Sequence, residues 1–157
     1  MLGYWNKKDE TNEVIKEGWL HTGDIGEFTK EGNLKITDRK KEIIVNLGGD
    51  NISPSKIENL LCLNEKIKQS LVYGDKKTYL AALIVTDNEE NRSEINLYIE
   101  NLNKNLQTIE KIKKIKLINE EFTIENGMLT PTLKLKRKKI LEKYKDCLLY
   151  TSGAADE

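Results

Sequence analysis

Cysteine and histidine are scarce in this sequence. Its 157 residues include two cysteines, Cys62 and Cys147, and one histidine, His21. Two distant cysteines provide neither a disulfide framework nor the paired spacing of a zinc site. The single histidine has no second histidine or paired cysteine with which to form a ligand set or a catalytic triad. We therefore predict that the chain contributes no metal site.

Long apolar runs and an excess of one charge are also missing. No window approaches the roughly 18 apolar residues of a membrane-spanning helix, and residues 1–4 do not resemble the start of a signal peptide. Lysine plus arginine and aspartate plus glutamate each number 26, so the formal net charge is zero. This balance gives no support for a nucleic-acid partner. We expect a cytoplasmic protein and leave peripheral membrane contact open.

The residues that are present suit a small α+β unit with a modest core, preceded by the last strands of something else. Periodicity predicts a short helix or turn over residues 12–16, then strands near residues 18–24, 26–29, 34–37 and 43–45. Further on it predicts helices over residues 53–64, 93–108 and 136–144 and strands over residues 67–73, 78–86 and 112–118. Ser53 and Pro54 are a typical helix start. The unbroken apolar run from Leu80 to Val85 predicts that its strand is central.

Thr22-Gly23-Asp24 is the first segment that can carry chemistry, because glycine permits a tight turn around the acid. The Asp24 carboxylate could accept two hydrogen bonds from a vicinal diol such as a ribose. From the residues alone, a turn-stabilising aspartate is the better interpretation, since such turns are frequent.

Three other segments have a functional and a plain interpretation. Arg39 presents a charged fork suited to phosphate or ribose oxygens, or it is a surface arginine paired with a neighbouring acid. Gly48 and Gly49 could admit a ligand close to the backbone, although a plain turn is the simpler interpretation. Lys134 lies in a run of five nearby cations, which is either a solvated basic segment or the site of one catalytic lysine.

Three segments taken together resemble one family. GWLHTGDIG, TDRKKEIIV and LTPTLKLKR are similar, in this order and spacing, to the adenylate-forming superfamily and most of all to its long-chain acyl-CoA synthetases. The similarity runs from about Gly3 to about Lys145, and the chain resembles only the C-terminal part of such an enzyme. It implies a terminal β segment of the N-terminal AMP-binding domain over residues 1–40 and the small mobile C-terminal domain, a short sheet with flanking helices, over residues 41–146. Residues 147–157, CLLYTSGAADE, differ in composition, and we interpret them as a non-native tail.

The resemblance also implies roles for particular residues. Asp24 would bind the ribose of ATP and of the acyl-adenylate, Thr22 would shape the turn, and Arg39 would contact the ribose and phosphate side of the nucleotide. Lys41 matches the hinge between the two domains of the family.

Two further assignments come from the same resemblance. Gly48 and Gly49 would lie along the passage for the pantetheine of CoA. Lys134 would be the catalytic lysine of a Gly-Lys-aliphatic-x-Arg motif, in which Leu133 replaces the usual glycine.

The implied reaction needs partners that this chain does not supply. A fatty acid, ATP and Mg²⁺, with the metal bound mainly by the absent N-terminal domain, would give acyl-AMP and pyrophosphate, and CoA would then accept the acyl group. We expect no ligase activity from the chain alone. The alternative is a free-standing basic module for RNA or anionic lipid, built on the lysines of residues 111–116 and 134–145. Zero net charge and the lack of an aromatic pattern for base stacking disfavour it.

Overall fold

A computed structural model of the protein describes the backbone of residues 1–150 and the side chains of residues 1–144. The chain divides into an N-terminal unit, Met1–Ile43, and a C-terminal unit that begins at Ile44. Each is described by itself below. None of the helices in the described part is long and apolar enough to cross a membrane.

The N-terminal unit is built from one short helix and two hairpins. Its elements are α1 Lys8–Val14, β1 Ile15–Lys16, β2 Trp19–Leu20, β3 Asp24–Phe28 and β4 Leu34–Arg39. The strands pair antiparallel, β1 with β2 and β3 with β4. The strand predicted over residues 18–24 is shorter, because Gly18 and Gly23 have φ of +83° and +74°. Left-handed backbone at both positions ends the extended conformation.

A β-bulge shapes the second hairpin. Ile25 is paired with Asp38 but Gly26 with Ile36, so Thr37 is the extra residue of β4. The Thr37 hydroxyl donates to the Ile25 carbonyl at 3.2 Å. The bulge shifts the register by one residue and brings Asp24 opposite Arg39.

The C-terminal unit contains the remaining helices and strands of the described chain. These are β5 Ile44–Val45, β6 Asn51–Ile52, α2 Pro54–Leu61, β7 Gln69–Tyr73, β8 Leu80–Val85, α3 Arg92–Asn105, β9 Ile112–Ile118 and α4 Arg137–Tyr150. Short 3-10 helices occupy Glu89–Asn91 and Thr108–Glu110. The order of elements agrees with the predicted α+β class.

The main sheet has the order β7-β8-β9, with β7 antiparallel and β9 parallel to the central β8. All six residues of β8 are buried. Leu80, Ala82 and Ile84 belong to one core cluster, which includes residues of α2 and α3. Leu83 and Val85 belong to a second cluster, which includes residues of α4. As predicted, the apolar run forms a central strand, and both of its faces are covered.

Side-chain amides bond to the backbone beside the two outer strands. The Gln69 amide nitrogen donates to the Phe122 carbonyl at 3.0 Å, and the Phe122 N–H donates to the Gln69 amide oxygen at 2.6 Å. Asn103 makes the same pair of bonds to the backbone of Ile112, at 2.8 and 2.9 Å. Gln69 thus ties β7 to the backbone of Phe122, and Asn103 ties α3 to the first residue of β9, with one donor and one acceptor satisfied in each case.

The short helix or turn predicted over residues 12–16 is instead the end of α1 followed by β1. The three helices predicted in the C-terminal unit are confirmed in their starts more than in their ends. Ser53 precedes α2, and its hydroxyl accepts from the Lys56 N–H at 3.4 Å, with Pro54 at the first position. The helix ends at Leu61, before the predicted residue 64. The last helix runs beyond residue 144 to Tyr150. The suspected non-native tail lies outside the described residues from 151 onward, so it stays a prediction.

Candidate nucleotide and acyl-transfer site

Asp24 and Arg39 are cross-strand neighbours in the β3–β4 hairpin. Nε of Arg39 lies 2.9 Å from Oδ1 of Asp24. The Asp24 side chain is 26% exposed and the Arg39 side chain 58% exposed, so the pair is open to solvent on one side. A carboxylate that an arginine orients and that stays partly exposed can accept bonds from a hydroxylated ligand.

The turn before Asp24 has the shape that its sequence predicted. The Thr22 hydroxyl accepts from the Asp24 N–H at 3.2 Å, and the Gly23 carbonyl accepts from the Lys40 N–H at 2.8 Å. Glycine at position 23 supplies the left-handed φ of +74° without strain. The structure therefore brings the three predicted nucleotide-binding residues, Thr22, Asp24 and Arg39, to one end of one hairpin.

Lys41 lies in the turn that follows β4. The carbonyl of Arg39 accepts from the N–H groups of Glu42 and Ile43, at 2.9 and 3.2 Å. The Lys41 side chain is exposed. The boundary between the two units falls directly after Ile43.

Gly48 and Gly49 lie in the loop of the β5–β6 hairpin. The Gly49 N–H donates to the Asn46 carbonyl at 3.1 Å, and the Asn46 N–H donates to the Asp50 carbonyl at 3.2 Å. This pattern is that of a three-residue hairpin loop whose last residue is left-handed, and φ of Gly49 is +84°. The Asn46 side-chain oxygen also accepts from the Asp50 N–H at 2.9 Å. Both glycines are exposed.

Lys134 lies in a second loop of the same design. The Leu133 N–H donates to the Thr130 carbonyl at 2.9 Å, and the Thr130 N–H donates to the Lys134 carbonyl at 2.8 Å. The Thr130 hydroxyl accepts from the Lys134 N–H at 3.1 Å. Pro131 follows Thr130, a position that its fixed φ favours. The segment is therefore a closed hairpin that presents an exposed lysine.

Leu133 occupies the left-handed position of this loop, with φ of +59°. Glycine is the residue that adopts this conformation without strain. The replacement of the motif glycine by leucine therefore keeps the backbone shape of a glycine and places the strain on Leu133. The Leu133 side chain is 69% exposed.

Sequence reasoning missed a buried ion pair next to Lys134. Nη1 and Nη2 of Arg137 donate to Oε1 and Oε2 of Glu58, each at 2.6 Å. Oε1 of Glu58 also accepts from the Val72 N–H at 2.7 Å. Glu58 is on α2, where Pro54, Ile57, Glu58 and Leu61 are buried. An acid inside a helical apolar stripe is the signal that could have predicted a paired, buried charge.

The predicted residues thus fall into separate places. Thr22, Asp24 and Arg39 are together in the N-terminal unit, whereas the Gly48–Gly49 loop and Lys134 occupy two different hairpins of the C-terminal unit. Across the side chains that the structure describes, no group of three or more His, Cys, Asp or Glu residues could hold a metal ion.

Comparison with known proteins adds the family context. The family model for AMP-binding enzyme C-terminal domains matches residues 41–150. The long-chain-fatty-acid–CoA ligase FadD15 of Mycobacterium tuberculosis is 35% identical, over 90% of this chain and 28% of its own length. Long-chain-fatty-acid–CoA ligase 5 of Rattus norvegicus is 38% identical, over 86% of this chain and 24% of its own. The chain spans about a quarter of the length of these relatives.

Solved structures are similar over most of the chain. The adenylation domain of the carboxylate reductase of Mycobacterium chelonae superposes with a TM-score of 0.85 at 27% identity, covering 96% of this chain and 26% of that one. The Mycobacterium tuberculosis fatty acyl CoA synthetase superposes with a TM-score of 0.59 at 28% identity, covering 92% of this chain and 28% of that one.

Proposed function

The chain belongs to the family of AMP-binding enzyme C-terminal domains, and on that premise we propose that it forms the C-terminal part of a long-chain fatty-acid–CoA ligase. The predicted family and its α+β fold are confirmed by the family match and the structural neighbours. The proposed enzyme activates a fatty acid with ATP to acyl-AMP and pyrophosphate. It then transfers the acyl group to the thiol of CoA and releases AMP.

One observation carries this proposal. The relatives that match about nine-tenths of the chain at about 35% identity are themselves named long-chain-fatty-acid–CoA ligases. The proposed partner of the chain is the large N-terminal domain that such ligases carry. Residues 1–40 would be the end of that domain and residues 41–146 the smaller, mobile one.

The Asp24–Arg39 pair is proposed to hold the nucleotide. The Asp24 carboxylate would accept bonds from the ribose hydroxyls, and the Arg39 fork would face the ribose and phosphate oxygens. The cross-strand ion pair supports this role, because it orients the carboxylate before the nucleotide arrives. Thr22 supports it by closing the turn through the Asp24 N–H.

Lys134 is proposed to act in adenylate formation. A carboxylate oxygen of the fatty acid attacks the α-phosphorus of ATP, and pyrophosphate leaves with the electron pair of the broken P–O bond. Negative charge crowds around phosphorus in this step, and a lysine ammonium placed beside it stabilises the transition state. The exposed position of Lys134 on a closed hairpin supports this role.

Domain alternation is proposed to separate the two half-reactions. Lys41 lies in the turn directly before the boundary of the two units, where a hinge would need backbone freedom. Gly48 and Gly49 would then border the path of the CoA pantetheine, for which two exposed glycines without side chains leave room. Mg²⁺ would accompany ATP and be held mainly by the large domain.

The alternative, a basic module for RNA or anionic lipid, has weaker support. Two cations of its basic C-terminal segment are engaged by acids, Arg137 by Glu58 and Lys143 by Glu120. Cations in such pairs contribute less attraction to a polyanion.

The test uses this chain in place of the matching C-terminal quarter of the M. tuberculosis ligase FadD15. The chimera should form acyl-CoA from fatty acid, ATP and CoA, whereas the 157-residue chain alone should form none. In the chimera, Lys134→Ala should abolish pyrophosphate release but largely spare CoA transfer from supplied acyl-adenylate. Lys138→Ala, an exposed cation on the next helix, is the matched control. Equal loss of both half-reactions in Lys134→Ala would contradict the proposed role.

A further inference from the structure

The Lys134 loop, residues 130–134, is held by contacts on both of its sides. Lys134 is exposed, and an exposed lysine on a loop reaches a fixed point only if both limbs of that loop are anchored. The first limb is anchored by burial, since Met128 is 2% and Leu129 7% exposed within the second core cluster. The second limb runs through Leu135, which is partly buried, into α4.

The second limb meets its strongest polar contact at Arg137, the first residue of α4. Its guanidinium makes two bonds of 2.6 Å, one to each carboxylate oxygen of Glu58. The two side chains are only 17% and 9% exposed, so water competes little with this contact. A bidentate Arg–carboxylate contact fixes the orientation of the guanidinium as well as its distance from the carboxylate.

Glu58 is itself held in place from a third element. Its Oε1 accepts from the Val72 N–H of β7 at 2.7 Å, and its backbone carbonyl accepts from the Ser70 hydroxyl at 3.3 Å. An unbroken path of hydrogen bonds therefore runs from the main sheet through Glu58 to Arg137, three residues from Lys134.

We propose that Glu58 and Arg137 are positioning residues. They hold the Lys134 loop at a fixed position relative to the main sheet, as adenylate formation requires. The inference rests on the proposed function of Lys134. Neither residue touches the reacting groups, and both act through the backbone of the second limb. A displacement of about 1 Å at a catalytic group can cost about a hundredfold in rate, so such an anchor has catalytic consequences.

The first test uses the 157-residue chain and measures backbone ¹⁵N order parameters. Arg137→Lys keeps the positive charge but loses the bidentate contact with the Glu58 carboxylate. We expect the order parameters of Leu133 and Lys134 to fall from about 0.85 to below about 0.6, with those of Leu83 and Ile84 in β8 unchanged. Lys138→Ala is the matched control and should change neither set.

Glu58→Gln is the second variant, which keeps an acceptor for the Val72 N–H and removes the charge from the contact. If the contact between Glu58 and Arg137 only stabilises the fold, both variants should unfold at a lower urea concentration, and the Lys134 loop of the folded protein should stay as rigid as in the parent. That result would overturn the inference. Selective loosening of the loop supports it.

The second test measures half-reactions in the FadD15 chimera. Arg137→Lys should lower kcat for pyrophosphate release by about tenfold or more, leave KM for ATP within about twofold, and spare CoA transfer. If Lys134→Ala abolishes adenylation but Arg137→Lys does not lower it, the positioning inference is wrong and the role of Lys134 stands. If Lys134→Ala leaves adenylation intact, the proposed function of Lys134 fails, whatever the order parameters show.

Discussion

Leu133→Gly should stabilise the protein, although it removes a leucine side chain. Leu133 has φ of +59°, a left-handed conformation that costs an L-residue about 1–2 kcal/mol. Glycine removes this strain, but its greater freedom in the unfolded chain returns about 0.4–1 kcal/mol. Little burial is lost, because the side chain is 69% exposed. The expected net gain is about 0.5–1 kcal/mol, or roughly 1–4 °C in Tm.

The assay is urea unfolding of three proteins, with Leu133→Ala as the matched control. Alanine removes the same exposed side chain but keeps the Cβ atom that causes the strain. We expect the alanine variant to lie within about 0.5 kcal/mol of the parent and the glycine variant to lie above both. A glycine variant no more stable than the alanine variant would refute the assignment of strain to this backbone position.

Three further predictions concern a turn, the core and the surface. Gly49→Ala should lower the free energy of unfolding by about 1 kcal/mol in urea, because φ is +84° and the cost falls on the backbone although the space is open. Leu61→Ala should lower it by about 3 kcal/mol in the same assay, because this fully buried side chain leaves a cavity in the core. Glu120→Gln should lower it by about 0.5 kcal/mol at neutral pH. Lys143 and Tyr144 donate to this carboxylate and lower the pKa of Glu120, so its contribution is present above the ordinary carboxyl range and is lost as pH falls through the lowered pKa.

A control variant or condition can contradict each of these three predictions. Gly48→Ala, at a position without positive φ, should cost less than Gly49→Ala, and the reverse order would refute the backbone argument. Leu63 is 74% exposed, so Leu63→Ala should stay within about 0.5 kcal/mol of the parent. A gap between Glu120→Gln and the parent that persists in strong acid would contradict the pKa argument.

The sequence predicted an element correctly where its residue pattern has a single physical cause. The run from Leu80 to Val85 is apolar because both faces are covered, and it predicted the central strand. Ser53 and Pro54 predicted the start of α2, because capping is a local interaction. In contrast, Phe28 is 78% and Leu34 62% exposed on the β3–β4 hairpin, so apolar residues there predicted strands but not burial.

The candidate site was predictable only where a motif lies within one turn or hairpin. Thr22, Asp24 and Arg39 meet through a single hairpin, and the bulge at Thr37 that aligns them has no obvious signature in the sequence. The contact between Glu58 and Arg137 joins residues 79 positions apart, and only the folded chain brings them together. The left-handed Leu133 was equally hidden, because leucine is not a residue that predicts positive φ.

The burial of β8 on both faces also bears on how the sheet avoids mispairing. Where one face of a strand is polar, a slip of one residue is penalised because it buries polar side chains. A slip of β8 would exchange one apolar set for another, so its own pattern gives weak protection against that error. The protection must come from contacts that fit at one position only, and the buried Thr86 directly after β8 makes such a contact, because its hydroxyl accepts from the Asn91 side-chain amide at 3.3 Å. A few polar atoms at the margins thus select one alignment for a strand whose apolar side chains would accept several.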